Sequence, residues 1–209
     1  MTEFWNSEIT EASWKRLQEL SKEIKFTLIG GWAVYLYTKM QKSKDIDIVI
    51  DYSTLRELSG SYKLDKNDRL RKYEIKQETF NIDIYLPSYS ALTLPPSTLL
   101  ERYACKVEGF TVPVPEALMA LKIGAAMDRH ASQKGRKDMI DIVGLLFYSG
   151  IDIGKLSALA VENKLEGHMR FLYETLNAFD MNDIRYLNLN EPAYSKLKKT
   201  YLERIRRFL

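Results

Sequence analysis

Three aspartates occur in two short runs whose residue spacing suits metal-dependent chemistry. The first run, residues 45–51, alternates aspartate with isoleucine over its first four residues, and the second, residues 80–86, alternates in the same way around Asp83. Successive side chains of a strand point to opposite faces, so Asp45 and Asp47 share one face while isoleucines fill the other. If the two strands pair, the three carboxylates converge on one small patch.

Carboxylates packed this closely repel one another and resist joint ionisation, unless a divalent cation lies among them. Hard oxygen ligands suit Mg²⁺. The two runs therefore predict a metal-dependent phosphoryl-transfer site at Asp45, Asp47 and Asp83. The alternative is that Asp45 and Asp47 form the solvent face of an edge strand, although aspartate is disfavoured in strands. Asp51 ends its run, where a turn or capping role is expected, so it is left out of the predicted site.

A glycine pair stands between a short apolar segment and a helical pattern. Residues 26–29 are typical of a buried strand, Gly30 and Gly31 follow, and a helix is expected over residues 32–40. A turn of this kind leaves backbone N–H groups at the amino end of a helix, where phosphate binds well. Two glycines can also be no more than a turn, but the Asp-x-Asp run on the next strand favours phosphate binding.

Lys122 is the only charged residue between Glu116 and Asp128 in an otherwise apolar helix. One interpretation is a lysine whose stem packs while its ammonium reaches water. The other is a cation directed at a phosphate.

A basic cluster at residues 134–137 precedes Asp138 and Asp141 at the start of a predicted helix. Cations are unfavourable at a helix amino end, so the cluster indicates either an anion nearby or a solvated loop. The two aspartates lie on one helical face, where they could pair with Lys122 or Arg136.

Composition limits the function classes without selecting one. The chain has 209 residues, 45% of them hydrophobic, and 31 basic against 28 acidic residues, a net charge of +3 that does not by itself diagnose nucleic-acid binding. The single Cys105 favours a reducing, intracellular setting. The amino terminus lacks the pattern of a signal peptide, and no apolar run approaches the roughly 20 residues of a membrane span. We therefore expect a cytoplasmic protein.

Hydrophobic periodicity predicts an α/β fold, with a mixed sheet and flanking helices in residues 1–114 and a helical region in residues 115–209. The predicted strands are 26–29, 45–51, 72–78, 80–86, 103–107 and 110–114, with residues 61–71 as loop or irregular strand. The predicted helices are 8–23, 32–40, a brief one capped by Ser53-Thr54, 115–130, 136–149, 152–164, 166–179 and 191–208.

The order Gly-Gly, helix, Asp-Ile-Asp and a third aspartate on a later strand resembles the nucleotidyltransferase superfamily of the DNA polymerase beta type. The resemblance implies that Gly30 and Gly31 contact nucleotide phosphates and that Asp45, Asp47 and Asp83 hold two Mg²⁺ ions. The approach Ser43-Lys44-Asp45-Ile46-Asp47 is similar to a Thr-x-Asp-Ile-Asp form, with serine in place of threonine, and implies that Ser43 and Lys44 line the nucleotide site. Gln41-Lys42 stands where that form often carries an upstream arginine.

The helical half is similar to the abortive-infection nucleotidyltransferases, the toxins of type IV toxin–antitoxin pairs. The similarity lies in Pro115 to Lys122, followed by Arg136-Lys137-Asp138 and Asp141. It implies that Lys122 and Asp138 support the nucleotide site and that an antitoxin-type partner exists.

The resemblance implies transfer of a nucleoside monophosphate from an NTP to an acceptor. A tRNA, a protein hydroxyl and a small molecule all stay open as that acceptor. The rival hypothesis is a non-catalytic protein of the same fold, such as the partner subunit of a two-gene pair. A third, a sheet protein with an acidic surface strand, would show no metal dependence.

Overall fold

A computed structural model describes residues 4–129 and 132–209, and the chain divides into two units. The sheet unit contains Trp5–Leu36 and Lys42–Val114, and the helical unit contains Phe4, Tyr37–Gln41 and Pro115–Leu209. A seven-stranded mixed sheet with flanking helices and a helical carboxy-terminal region confirm the predicted α/β class. No helix among the described residues is long and apolar enough to span a membrane.

The strands of the sheet unit lie in the order β3-β4-β5-β2-β1-β7-β6. They are β1 Thr27–Ile29, β2 Ile46–Val49, β3 Asp65–Asn67, β4 Lys72–Lys76, β5 Asn81–Tyr85, β6 Ala104–Val107 and β7 Phe110–Pro113. The helices that begin in this unit are α1 Ser7–Glu23, α2 Gly30–Thr38, α3 Tyr52–Ser61 and α4 Pro96–Glu101. The central β2 pairs antiparallel with β1 on one side and parallel with β5 on the other.

The alternating isoleucines fix the register of the two central strands. Ile46 and Ile48 of β2 and Ile82 and Ile84 of β5 are completely buried, and they face one another as Cα partners. A shift of either strand by one residue would move its two isoleucines to the opposite face of the sheet, so burial specifies the pairing strongly.

Several helices of the helical unit begin at polar caps that the sequence supplies. The helices of this unit are α5 Pro115–Arg129, α6 Gln133–Tyr148, α7 Ile153–Glu162, α8 Glu166–Ala178, a 3₁₀ helix Met181–Leu187 and α9 Glu191–Arg206. Ser132, Asp152 and Asn190 cap α6, α7 and α9, and each accepts a hydrogen bond from a backbone N–H of the first turn.

Two short elements differ from the predictions in the sheet unit. The cap of α3 is Asp51, which accepts from the Thr54 N–H at 2.7 Å, so the predicted Ser53-Thr54 cap is wrong. Residues 96–101 form α4, which is not among the predicted helices, because a proline suits the first turn of a helix as well as it suits a loop. The polar segment 61–71 contains β3, which adds to the edge of the sheet through β4.

In the helical unit the start of α6 lies at Gln133, three residues before the predicted start. The basic cluster therefore lies inside the first turns of α6. The 3₁₀ helix was not predicted, because a segment of seven residues is too short for a periodic pattern. The predicted helix 115–130 corresponds to α5, and residue 130 lies outside the described residues.

Candidate active site

The glycine pair lies at the turn from β1 to α2. Gly30 is the first residue of α2 and has a φ of +69°, a conformation that residues with a Cβ rarely adopt. A Cβ added to Gly30 would lie 2.7 Å from Asp47 Cγ, and one added to Gly31 would lie 2.8 Å from Ser43 Cβ. The turn therefore requires glycine for two reasons: the backbone conformation at Gly30 and the close approach of the Asp47 and Ser43 side chains.

Strand pairing makes two of the predicted carboxylates direct neighbours. Asp47 of β2 and Asp83 of β5 are Cα partners in the parallel register. Asp45 precedes β2 by one residue, and its negative charge raises the pKa of Asp83. The strand pairing thus places the three aspartates near the turn that begins at Gly30.

Polar neighbours hold two of these carboxylates and the segment that leads to them. Asp45 Oδ1 accepts a hydrogen bond from the Asn81 backbone N–H at 3.2 Å, and Asp47 Oδ1 accepts one from the Tyr85 hydroxyl at 3.3 Å. The buried Ser43 hydroxyl donates to the Asp45 carbonyl oxygen at 3.1 Å, which fixes the chain just before β2. Lys44, between them, is half-buried.

Asp83 is buried and carries a lysine partner that the sequence argument missed. Lys72 Nζ lies 2.6 Å from Asp83 Oδ2 and 2.9 Å from Glu74 Oε1. Burial raises the pKa of Asp83, against the lowering effect of Lys72. Burial acts to lower the pKa of Lys72, but the hydrogen bond and charge of Asp83 outweigh it and leave that pKa raised.

The sequence did contain a signal for these two residues. Residues 72–78 and 80–86 were predicted as neighbouring strands, and in an antiparallel hairpin Glu74 comes opposite Asp83. Lys72 lies two residues before Glu74 and thus on the same face of β4.

The oxygen donors of this site suit a divalent cation, but they are not assembled around one point. Within residues 4–129 and 132–209, no group of three or more His, Cys, Asp or Glu side chains is placed so that it could hold a metal ion as it stands. The buried Asp83 Oδ1 has no hydrogen-bond partner, and an orphaned carboxylate oxygen is costly unless a cation satisfies it. The donor set therefore fits Mg²⁺ in its chemistry, provided that the side chains of Asp45 and Asp47 turn toward it.

Lys122 and Asp138 belong to the helical unit, where they form part of a buried ionic cluster. Lys122 Nζ lies 3.1 Å from Asp138 Oδ1 and 2.7 Å from Asp141 Oδ2, and Lys137 contacts Asp141 as well. Only 7% of Lys122 is exposed, so its ammonium does not reach water as a snorkelling lysine would. Burial acts to lower its pKa, but the charges of Asp141 and Asp138 raise it above the ordinary value.

Arg129 completes this ionic cluster and was also missed. Its Nε donates to Asp138 Oδ2 at 2.7 Å, and 44% of its side chain is exposed, against 9% for Lys122. Arg129 follows Lys122 by seven residues on α5, two helical turns later, and this spacing places both on one helix face. Arg136, the predicted alternative partner of the two aspartates, instead pairs with Asp183 through Nε at 3.0 Å.

An open groove of about 840 Å³ in the sheet unit does not include these aspartates. Phe26, Thr27, Ile50 and Asp51 are among the residues that line it. Because β1 and β2 are antiparallel, the groove lies at the end of these strands opposite to Gly30 and Asp45.

No protein-family model matches the sequence, and no match is found among curated proteins either. Two solved structures from Helicobacter pylori have a similar fold. A candidate nucleotidyltransferase shares 14% identity, with 98% of this chain and 99% of that chain covered and a TM-score of 0.53. The protein JHP933 shares 15% identity, with 97% of each chain covered and a TM-score of 0.51. At this identity the likeness establishes the fold alone, and that fold is nucleotidyltransferase-like.

Proposed function

We propose that this protein is a metal-dependent nucleotidyltransferase that moves a nucleoside monophosphate from an NTP to an acceptor hydroxyl. The observation that carries the proposal is the register of β2 and β5, in which Asp47 is the direct neighbour of the buried Asp83. The Gly30 turn packs against Asp47, so a phosphate-binding turn and a pair of carboxylates adjoin. The nucleotidyltransferase-like fold supports the same activity.

The reaction breaks one phosphoanhydride bond and forms one phosphoester bond. The acceptor oxygen attacks the α-phosphorus, the bond from this phosphorus to the bridging oxygen of the β-phosphate breaks, and pyrophosphate leaves. Asp83 helps to remove the hydroxyl proton, since burial raises its pKa and makes it a stronger base than an exposed aspartate. Bound Mg²⁺ would neutralise the charge that develops on the phosphates.

The remaining residues would bind and orient the nucleotide. The Gly30 and Gly31 N–H groups at the start of α2 would hold the triphosphate. Ser43 and Lys44 would line the same site, and Asp45 and Asp47 would hold the metal.

Lys122 is assigned a positioning role within the helical unit. Its ammonium already contacts two carboxylates, so it would act by fixing Asp138 rather than by meeting a phosphate directly. The exposed guanidinium of Arg129 is then the cation of this ionic cluster best suited to an anion.

The resemblance to abortive-infection enzymes supports a narrower proposal, a cytoplasmic toxin with an antitoxin-type partner. The acceptor would be a tRNA, a protein or a small molecule. Labelled NTPs screened against RNA and protein acceptors would identify it.

The second candidate is a nucleotidyltransferase-fold binding protein without catalysis. The observation that favours it is the Lys72 ammonium on Asp83, because a carboxylate that already has a cationic partner needs a metal less. Such a protein could act as the partner subunit of an enzyme.

Thermal melting with each of the four NTPs, with Mg²⁺ and with chelator, tests the proposal. A ligand at a hundredfold over its dissociation constant stabilises the native state by about 2.7 kcal/mol. We expect a rise in Tm for at least one NTP with Mg²⁺ and none with chelator, because carboxylates repel a triphosphate until a cation neutralises them. Identical melting temperatures under all conditions would reject nucleotide binding. A rise in Tm that is the same with Mg²⁺ and with chelator would favour the binding protein without catalysis.

A further inference from the structure

Lys72 is fixed between two carboxylates on neighbouring strands. It lies on β4 with Glu74, and the antiparallel register makes Glu74 the Cα partner of Asp83 on β5. Its ammonium contacts Asp83 Oδ2 at 2.6 Å and Glu74 Oε1 at 2.9 Å, and only 10% of its side chain is exposed. Lys72 is thus a buried cation held by two short contacts.

The charge balance around Lys72 leaves room for a further cation. The Lys72 ammonium is shared by the carboxylates of Asp83 and Glu74, so one positive charge meets two negative ones. Asp47 is the Cα partner of Asp83 on β2, and the negative charge of Asp45 acts on Asp83 as well. Burial intensifies their mutual repulsion because few waters screen it. A divalent ion beside Asp83 would offset this negative charge.

The two oxygens of Asp83 have different environments. Oδ2 is occupied by Lys72, whereas the buried Oδ1 has no hydrogen-bond partner. A second divalent ion on Oδ2 would have to displace the ammonium, or to lie a few ångströms from it and be repelled. The orphaned Oδ1 can serve an ion that Asp45 and Asp47 also hold.

We propose that Lys72 is a built-in cation beside Asp83, so that the site takes one divalent ion where the resemblance implies two. This inference rests on the proposed function, since it assumes that Asp47 is a metal ligand. Lys72 is then a positioning residue: it orients Asp83 and neutralises part of the charge that a second ion would otherwise balance.

The alternative is that the ion pair between Lys72 and Asp83 opens when a metal ion binds. In that case Lys72 would leave Asp83 when ions bind, and the site would take two ions with or without this lysine.

Counting bound Mn²⁺ by equilibrium dialysis of the full chain separates the two cases. Four variants are compared with the parent protein: Lys72→Met, Lys72→Arg, Lys76→Met and Asp47→Asn. Lys76 is the matched control, because it lies on the same strand and its ammonium pairs with Asp65 instead. We expect one ion that depends on Asp47 in the parent, in Lys72→Arg and in Lys76→Met, and a second ion in Lys72→Met. Lys72→Gln replaces Lys72→Met if the latter does not fold.

The inference is overturned by two Asp47-dependent ions in the parent, or by a single ion in Lys72→Met. In both results the ion still depends on Asp47, so the proposed metal site would stand. If neither the parent nor Lys72→Met binds an ion that Asp47→Asn loses, the proposed function fails and this inference fails with it.

Discussion

The protein contains two buried clusters of charged side chains, one in each unit, and their charge balances are opposite. In the sheet unit Lys72 contacts the carboxylates of Asp83 and Glu74, so two anions share one cation, and Asp83 Oδ1 is left without a hydrogen bond. In the helical unit the side chains of Lys122, Lys137 and Arg129 outnumber the carboxylates of Asp138 and Asp141. Both clusters looked alike in the sequence, as charged residues in apolar segments.

The difference gives a criterion for separating a candidate metal site from a structural cluster. Buried charges need partners, and a cluster in which every carboxylate has a cation of the chain beside it is complete within the chain. The helical cluster meets this condition, whereas in the aspartate cluster one ammonium serves two carboxylates and the buried Asp83 Oδ1 has no hydrogen-bond partner. The aspartate cluster also adjoins a glycine, Gly30, where a Cβ would overlap the side chain of Asp47.

The largest expected effect is that of Asp47→Asn on transfer activity. The substitution keeps the size and still accepts from the Tyr85 hydroxyl, but it removes a negative ligand. We expect a loss of roughly 10⁴-fold, equivalent to about 5 kcal/mol of transition-state stabilisation. Pyrophosphate release with the identified acceptor measures this.

The same variant has an opposite expected effect on stability. Without metal its Tm should equal or exceed that of the parent, because repulsion with Asp45 and Asp83 is relieved. Asp65→Asn, at an exposed ion pair on β3, is the control and should keep full activity. An Asp47→Asn protein that retains activity would remove the distinction between the two clusters.

The next largest effect is expected from Lys122→Met in the helical cluster. Methionine preserves the packing of the stem but leaves Asp138 and Asp141 with less positive charge in a buried position. Breaking a buried pair in this way costs about 3–5 kcal/mol of unfolding free energy. Urea denaturation measures the change, with Lys155→Met on the exposed face of α7 as control. A variant as stable as the parent would mean that this cluster is not a structural one.

Gly30→Ala tests the close approach of the turn to Asp47. The positive φ costs an alanine about 1–2 kcal/mol, and the contact of its Cβ with the Asp47 side chain adds roughly 1 kcal/mol or more. Gly60→Ala is the matched control, because a Cβ there meets nothing within 4 Å on the exposed end of α3. We expect that control to be stabilised by about 0.5–1 kcal/mol. Equal melting temperatures for the two variants would contradict the crowding at Asp47.

The smallest effect concerns another buried atom without a hydrogen-bond partner, the Tyr194 hydroxyl oxygen. It lies among the rings of Phe147 and Phe179, without the negative neighbours of Asp83. Burial raises the pKa of Tyr194 to about 12, above the unfolded value near 10. The folded state therefore holds this proton more tightly, and the resulting stability is present below about pH 10 and lost as the pH rises through the folded pKa.

Tyr194→Phe should consequently gain about 1 kcal/mol at neutral pH, since it removes an unsatisfied hydroxyl. Its unfolding free energy should also fall less than that of the parent, by about 1 kcal/mol, between neutral pH and about pH 11. Denaturation at a series of pH values measures both. Parallel pH profiles would show that the hydroxyl has a partner or a path to water. The expected gain in unfolding free energy would show that the hydroxyl is unsatisfied although no ligand is implied there. A buried atom without a hydrogen-bond partner would then indicate a ligand site only where the charges around it are also unbalanced.

Sequence alone determined the local elements that carry the site. Alternation of aspartate with isoleucine predicted β2 and β5, because a strand that is half buried must place every second side chain in the core. The Gly30-Gly31 turn followed from an apolar segment that ends at glycine. Helical periodicity predicted α5 to α9, with boundaries that differ by up to three residues because caps and short turns leave weak patterns.

Only the tertiary structure decided which charges meet. The sequence offered two partners, Lys122 and Arg136, for Asp138 and Asp141, and the hairpin places Lys72 on the face of Asp83 without showing that the two side chains meet. These contacts join residues 11 to 19 positions apart. Strand order made Asp47 and Asp83 neighbours, and helix packing buried Lys122, which excludes the interpretation as a snorkelling lysine. Hydrophobic periodicity indicates which face of its own helix or strand a side chain occupies. The partner on the facing element is set by register and packing, and those depend on the whole fold.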